Sequence, residues 1–367
     1  MGFSNGSVVS SAGGRKGAGI IGIAAALPSR ELDDTELERR FDPKELRSIS
    51  KMSGITRRRV VAPGQCASDL ALTAAERLLA AKGFDRSQID LLIFVSQTPD
   101  YRIPTTASVL HGKLKLAETC ATFDINQACS AYPYALSVAY SMIMSSVAHY
   151  ALVLNADALT TLIHPEDRAL IPLHGDAACA TLLGPCPEGY GFEGFALGTD
   201  GSGAKYLIVP EGAGRKGLGT NRETYAHPEH IFMDGPAVFH FSVSRIPLAM
   251  KKAIADQGLT VEQIDHFILH QANKTMMGLI YRSVRVPKEK QFYFLEGTGN
   301  SSGPATAVAV AEAWRTGFIR PGSRTMMCSF GAGLTWGIAF HRWPEDADPS
   351  VPLDPVIPDH ELLDASL

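Results

Sequence analysis

The sequence holds no run of apolar residues approaching the ~18 that a helical membrane span needs. It has no excess of basic charge either: 34 Lys and Arg stand against 38 Asp and Glu, a net charge of −4. There is thus no global basic field to draw nucleic acid. Its six cysteines (66, 120, 129, 179, 186 and 328) form no CxxC pair and keep no regular spacing. That argues against a disulfide scaffold or a metal site and fits the reduced thiols of a cytosol. What is present is ordinary for a globular protein: 367 residues, 45% hydrophobic and 20% charged. At roughly 150 residues per domain the length implies two domains or two halves. Such a chain can bury a large core without covalent staples.

The two ends differ from the body. Residues 1–18, rich in Gly and Ser, read as a flexible leader. Arg15 and Lys16 before the apolar run Gly19 to Leu27 imitate a secretory signal. The run is at the short end for one, so a buried first strand and a cytoplasmic location are the preferred reading. From Trp343 to Leu367 there are seven acidic residues, five prolines and no Lys or Arg. This tail is expected to drape over the body or to hang in solvent.

The body contains an internal echo. Residues 74–98 and 249–273 each read as amphipathic helix, Gly, polar turn, then Gln-Ile-Asp leading into an apolar strand. Gly83 matches Gly258 and Asp90 matches Asp265. Residues 121–155 and 291–330 each read as strand, sharp turn, helix, strand, with Cys129 and Asn300 in similar places. Two echoes in one order argue for a duplicated α/β unit, with halves at 19–187 and 188–342. Parallel strands fed by crossover helices are expected, with loops at the strand ends carrying the chemistry. Equivalent loops can then meet face to face, Cys129 from one half against His270 and Asn300 from the other.

Cys129 sits where a strand gives way to a helix, with Pro133 in the first turn. The helix dipole and free N–H groups there are expected to lower the thiol pKa. The competing reading is a buried structural cysteine, the default for the other five. His270 ends an apolar strand and opens HQANKT. A lone histidine is more often a satisfied core residue. Asn300, in the Gly-rich loop EGTGNSSGP, raises its standing, because Asn donates a hydrogen bond without carrying charge. Ser329 to Gly337 follows one strand and turns into another; Gly331 and Gly333 could hold backbone N–H groups outward as an oxyanion hole, and the competing reading is a hairpin loop with no ligand. Cys, His and Asn together admit a cysteine hydrolase or thioester chemistry. The caspase and papain settings are both absent here.

The motifs ACSA around Cys129, HPEDRALIPLHGDAA (164–178), MDGPAVF (233–239), HQAN (270–273), GNSSGPA (299–305) and FGAGLTWG (330–337) occur in order. Together they resemble the β-ketoacyl-(acyl carrier protein) synthase III family over roughly residues 19–342. The resemblance implies a thiolase-like fold, two duplicated α/β halves packed as a five-layered αβαβα core. It implies a decarboxylating Claisen condensation of a Cys-bound acyl group with malonyl-carrier thioester. Cys129 would be the acyl-accepting nucleophile, with His270 and Asn300 binding the malonyl carbonyl. The N–H groups of Cys129 and Ala332 would form the oxyanion hole. Phe239 and Asn273 would line the pantetheine tunnel and Arg168 would approach the nucleotide end of coenzyme A. Ile103 would enter the acyl pocket of a homodimer partner. The substrates would be acyl-coenzyme A or acyl-carrier thioester and malonyl-carrier thioester. No bound cofactor, metal, nucleic acid or membrane span is expected.

Departures from the family pattern point to a specialised member. The adenine-gripping Trp and Arg correspond to Ser48 and Met52, and a carrier-docking Arg to Thr275. Ser130-Ala131-Tyr132 follow the nucleophile, and Ala332 takes a glycine's place, which requires a negative φ. The primer would be medium, branched or aromatic, or delivered by a carrier protein. Arg282, Arg285, Lys288 and Lys290 are the expected dock for an acidic carrier. The alternatives are acyl transfer to an oxygen or nitrogen acceptor by the same triad, and a non-catalytic partner subunit.

Overall fold

The computed structural model describes residues 17–217, 220–351 and 354–366. A leader over residues 1–16 lies outside them. The last two residues of the expected leader belong to the body. Gly17 O accepts from Cys186 N at 3.0 Å, and Ala18 is buried at the start of the first strand.

The first half runs β1 (Ala18–Ala26), β2 (Glu31–Asp33), α1 (Asp34–Leu37), α2 (Pro43–Ser53), β3 (Arg57–Arg59), α3 (Ala67–Lys82) and β4 (Ile89–Val95). It continues through α4 (Thr106–Lys113), β5 (Ala121–Ile125), α5 (Ala131–Met144), β6 (Tyr150–Asp157) and β7 (Ala177–Pro185). The second half runs β8 (Gly191–Thr199), β9 (Leu207–Ile208), β10 (Phe232–Met233), α6 (Gly235–Asp256), β11 (His266–Leu269), α7 (Lys274–Val284), α8 (Ala305–Arg315), β12 (Arg324–Gly331) and β13 (Thr335–Arg342).

Strands β2–β3 and β9–β10 form two-stranded sheets. Of the two large sheets, one has the order β1-β7-β6-β4-β5 and the other β8-β13-β12-β11. Position by position they repeat. The pairs β1–β7 and β6–β7 are antiparallel, as are β8–β13 and β12–β13. The pairs β4–β6 and β11–β12 are parallel. The sheets are therefore mixed, not wholly parallel. The echoed residues do the same work in each half. Gly83 and Gly258 take left-handed φ values of 56° and 66° just past the helices. The Asp90 carboxylate accepts from the N–H of His149 and Tyr150 at the head of β6, and that of Asp265 from Arg324 N at the head of β12.

The echo fails at one point. The counterpart of β5 is reduced to an isolated parallel bridge between Phe267 and Gln291. A side chain takes the ladder's place there: Phe294 N donates to Gln271 Oε1 at 2.7 Å. That bond ties the segment before Asn300 to the residue after His270.

Helices α5 and α8 lie between the sheets. Ala135 and Leu136 of α5 and Ala307 and Val310 of α8 pack with Ile93 and Val153 of one sheet and Ile268 and Ala339 of the other. Every residue of α8 from Ala305 to Trp314 is buried, as a helix sandwiched on two sides requires. Helices α3 and α4 cover the first sheet outside, α6 and α7 the second. The result is the five-layered αβαβα core.

The acidic tail is draped on the body. Ile23 N and Leu27 N donate to Pro349 O and Pro355 O, each at 2.7 Å, and Ile357 N donates to Leu27 O at 2.8 Å. The outer edge of β1 is thereby capped, which removes an unpaired strand edge. Ile357 and Ala365 are buried, and Arg77 holds the segment through Asp354 O and Glu361. Among the described residues no helix is long and apolar enough to cross a membrane.

Candidate active site

Strand β5 delivers the chain to a short turn, Ala128–Ser130, that feeds α5. Cys129 is its middle residue. Ala128 before it has φ 48°, and Ser302 opposite has φ 60°. Such left-handed backbone costs a non-glycine residue roughly 1–2 kcal/mol and persists only where the surroundings impose it. A Cβ on Gly331 would lie 2.6 Å from Cys129 Cβ and 2.9 Å from its Sγ. Only glycine lets the β12–β13 hairpin come this close to the sulfur. Ala332, next in the hairpin, is not among the residues of positive φ, so the glycine replacement is unstrained.

The Cys129 thiol lies 3.2 Å from Ser302 Oγ. Burial pushes its pKa up to about 11, reinforced by the Asp157 charge. The Ser302 hydroxyl and the backbone N–H groups of Ala332 and Cys129 pull the other way. The expected lowering of the thiol pKa is thus overturned, because desolvating a thiolate costs more than these donors return. Those two N–H groups are the ones named for the oxyanion hole. Cys120, Cys179, Cys186 and Cys328 are buried free thiols, as the default reading held; Cys66 is exposed at the head of α3.

His270 follows β11, its N–H bonded to Cys328 O at 2.8 Å. Burial, helped by the charge His174 would carry, pushes its pKa down to about 3, so the ring is neutral. Asn300 is held by Asn300 N donating to Leu173 O at 2.8 Å, and its Oδ1 accepts from Ser302 N at 3.0 Å.

Cys129, His270 and Asn300 all line one cavity of about 430 Å³. Its other walls are largely apolar, with Leu207, Met233, Phe239, Met276 and Phe330. Phe239 and Asn273 both stand on the wall; Asn273 also caps α7, its Oδ1 accepting from Met276 N at 3.0 Å. A second cavity, of about 340 Å³, shares Leu170, Ile231 and Met233 with the first. Arg168 lines neither. It is exposed and paired with Glu45 at 3.6 Å, although its neighbours Asp167 and Ala169 line the second cavity. Ile103 is 86% exposed on the loop after β4.

The basic residues divide differently from the expected cluster. Lys51, Lys274 and Arg282 line an open pocket of about 380 Å³ that meets the main cavity at Met52. Arg285 is instead the left-handed C-cap of α7, and Lys290 Nζ is spent on Glu262 O and Ile264 O. Thr275, where a docking Arg was expected, donates its hydroxyl to Met52 O at 2.6 Å and so joins α7 to α2.

Among the lining residues not foreseen are the polar side chains Gln97, His174 and Ser302. Gln97 lies just past the carboxyl end of β4, a position that marks sites in α/β sheets and was readable. Ser302 was within the quoted GNSSGPA motif. His174 lay in another quoted motif, but no local signal aims it at Asn300; only the folded loop does.

Two pseudo-equivalent halves in five layers, with a cysteine at a strand-to-helix turn facing the second half's loops, define a thiolase-like transferase. Residues 123–201 match the family described as 3-oxoacyl-[acyl-carrier-protein (ACP)] synthase III, and residues 254–343 its C-terminal counterpart. Beta-ketoacyl-[acyl-carrier-protein] synthase III of Caldanaerobacter subterraneus subsp. tengcongensis is 35% identical over 327 residues, 89% of this chain and 98% of the relative. That of Symbiobacterium thermophilum is 36% identical over 326 residues, again 89% and 98%. The crystal structure of 3-oxoacyl-(acyl-carrier protein) synthase from Burkholderia xenovorans LB400 is similar with a TM-score of 0.84 at 32% identity, covering 92% of this chain and 96% of that one. The priming β-ketosynthase of the R1128 polyketide pathway has a TM-score of 0.81 at 27% identity, covering 92% and 99%. The chain belongs to the β-ketoacyl-[acyl-carrier-protein] synthase III family.

Proposed function

We propose that this chain condenses a Cys129-bound acyl group with a malonyl-carrier thioester, releasing carbon dioxide and a β-ketoacyl thioester. The observation that carries this reading is the single apolar-walled cavity lined by Cys129, His270 and Asn300. In the first half-reaction the Cys129 sulfur attacks a thioester carbonyl and the donor thiol leaves. In the second, His270 and Asn300 donate hydrogen bonds to the malonyl thioester carbonyl. Decarboxylation moves the electron pair into an enolate stabilised by those two donors. The enolate carbon then attacks the acyl-cysteine carbonyl, whose oxyanion is met by the N–H groups of Cys129 and Ala332. Collapse expels the Cys129 thiolate. Neutral donors suit this task, because the stabilised charge exists only at the transition state and beyond. A cavity with few polar walls raises the value of each hydrogen bond.

The donor end of the site is less built for a nucleotide. Ser48 is exposed on α2, and Arg168 is engaged by Glu45. The basic pocket of Lys51, Lys274 and Arg282 beside Met52 suits the phosphate of a carrier's pantetheine arm. A homodimer fits the position of β5 as an edge strand among the described residues and the exposed Ile103, which would enter the partner's pocket.

The test separates the half-reactions. Cys129→Ala is expected to abolish the acyl adduct seen by intact-protein mass spectrometry. His270→Ala is expected to keep the adduct and to lower carbon dioxide release from malonyl-carrier thioester about 100-fold or more. Full condensation by Cys129→Ala would end this reading.

A further inference from the structure

His174 is not needed for the scheme above, yet it touches one of its donors. It stands in the loop before β7, and its ring lines the main cavity. Its Nδ1 is 3.0 Å from Leu170 O. A carbonyl oxygen can only accept, so Nδ1 carries the proton. Burial lowers the ring's pKa below its ordinary value and so disfavours a second proton. Nε2 is then a bare lone pair, and it lies 3.5 Å from Asn300 Nδ2. That separation is at the long end for such a bond.

The two loops are tied together by their backbones. Asn300 N donates to Leu173 O at 2.8 Å and Gly175 N to Asn300 O at 3.1 Å, a parallel bridge centred on His174 and Asn300. A Cβ on Gly175 would fall 2.1 Å from Thr298 O, so only glycine permits this contact. The Asn300 amide is thus addressed at both ends. Ser302 N donates to its Oδ1 at 3.0 Å, and His174 offers an acceptor to its Nδ2. Flipping the amide would set oxygen against the Nε2 lone pair and NH₂ against the Ser302 N–H. Both contacts would be repulsive.

We propose that His174 is a positioning residue for Asn300: its unprotonated Nε2 accepts one amide N–H and so turns the other toward the reacting malonyl carbonyl. This rests on the reading of Asn300 as a donor to that carbonyl. His174 itself need not touch substrate. Its contribution is to the orientation of a donor, which matters most when charge develops.

The experiment uses the full-length enzyme with malonyl-carrier thioester, measuring carbon dioxide release, acyl uptake on Cys129 and thermal stability. His174→Phe fills the space without an acceptor; His174→Gln restores one near the position of Nε2. His174→Phe is expected to lower kcat for decarboxylation about tenfold with KM little changed, far more than it lowers acyl uptake. His174→Gln is expected to recover most of the loss. If His174→Phe does not fold, the same loss is required of His174→Leu. In an Asn300→Ala background, the His174 substitution should cost nothing further, since it acts through that amide. Wild-type decarboxylation by folded His174→Phe or His174→Leu would overturn the proposal. So would an undiminished loss in the Asn300→Ala background. Wild-type decarboxylation by Asn300→Ala alone would instead overturn the reading of Asn300 as donor.

Discussion

At Cys129 and His270 burial works in opposite directions on the two pKa values and to one end. It raises the thiol to about 11 and drops the imidazole to about 3, so both groups rest uncharged. The thiolate fraction grows with rising pH, whereas the imidazole gains a proton only well below neutrality. Acyl uptake by Cys129 is therefore expected to accelerate from pH 6 to pH 9. Carbon dioxide release should stay flat over the same range, since His270 remains a neutral donor. Stopped-flow acylation and carbon dioxide release across that range check both limbs. A fall in carbon dioxide release below pH 6.5 would place the His270 pKa near its ordinary value and contradict its burial. A helix N-terminus beside a cysteine was visible in the sequence; the desolvation that outweighs it was not, because burial is a property of the packed chain.

At the scale of elements, β1 depends on the tail. Three backbone hydrogen bonds run between β1 or Leu27 and the segment Pro349 to Ile357. At about 1 kcal/mol net for each bond, removing residues 349–367 should cost of order 3 kcal/mol, with more from uncovering Ile357 and Ala365. It should also leave β1 as an open edge. The expected result is a lower melting temperature together with concentration-dependent association in light scattering. An unchanged melting temperature and no association would mean that the tail is not a structural strap. The composition of the tail allowed either a draped or a free segment. Pairing with β1 decided between them, and no pattern in the tail itself encodes that partner.

Across the whole molecule, charge is distributed in a way the net value hides. The chain is acidic overall, yet Lys51, Lys274 and Arg282 share one pocket at the edge of the main cavity. An acidic carrier would meet general repulsion and one local attraction, an arrangement that guides docking to that spot. Charge reversal at Lys274 and Arg282 is expected to raise KM for malonyl-carrier thioester about tenfold at low salt, with kcat little altered. The effect should shrink as ionic strength rises. The same reversal at Arg285 and Lys290 is the control, and an equal rise in KM there would refute the pocket as the dock. Four basic residues beyond HQAN looked like one cluster along the chain. Helix α7 separates them: Arg282 turns to the pocket while Arg285 ends the helix.

The duplicated architecture and the residues Cys129, His270 and Asn300 were legible before folding. They rest on local order: the echoed Gly and Asp positions, the strand-to-helix turn, and the motifs that follow each apolar strand. Local patterns encode such features because hydrophobic period and turn chemistry act over a few residues. Other features needed the tertiary structure: the neutral state of the thiol, the seat of the tail, the composition of the basic pocket and the meeting of His174 with Asn300. Each depends on groups far apart in the chain sharing one small volume. Desolvation and contact there are set by what packs around a group, not by what precedes it.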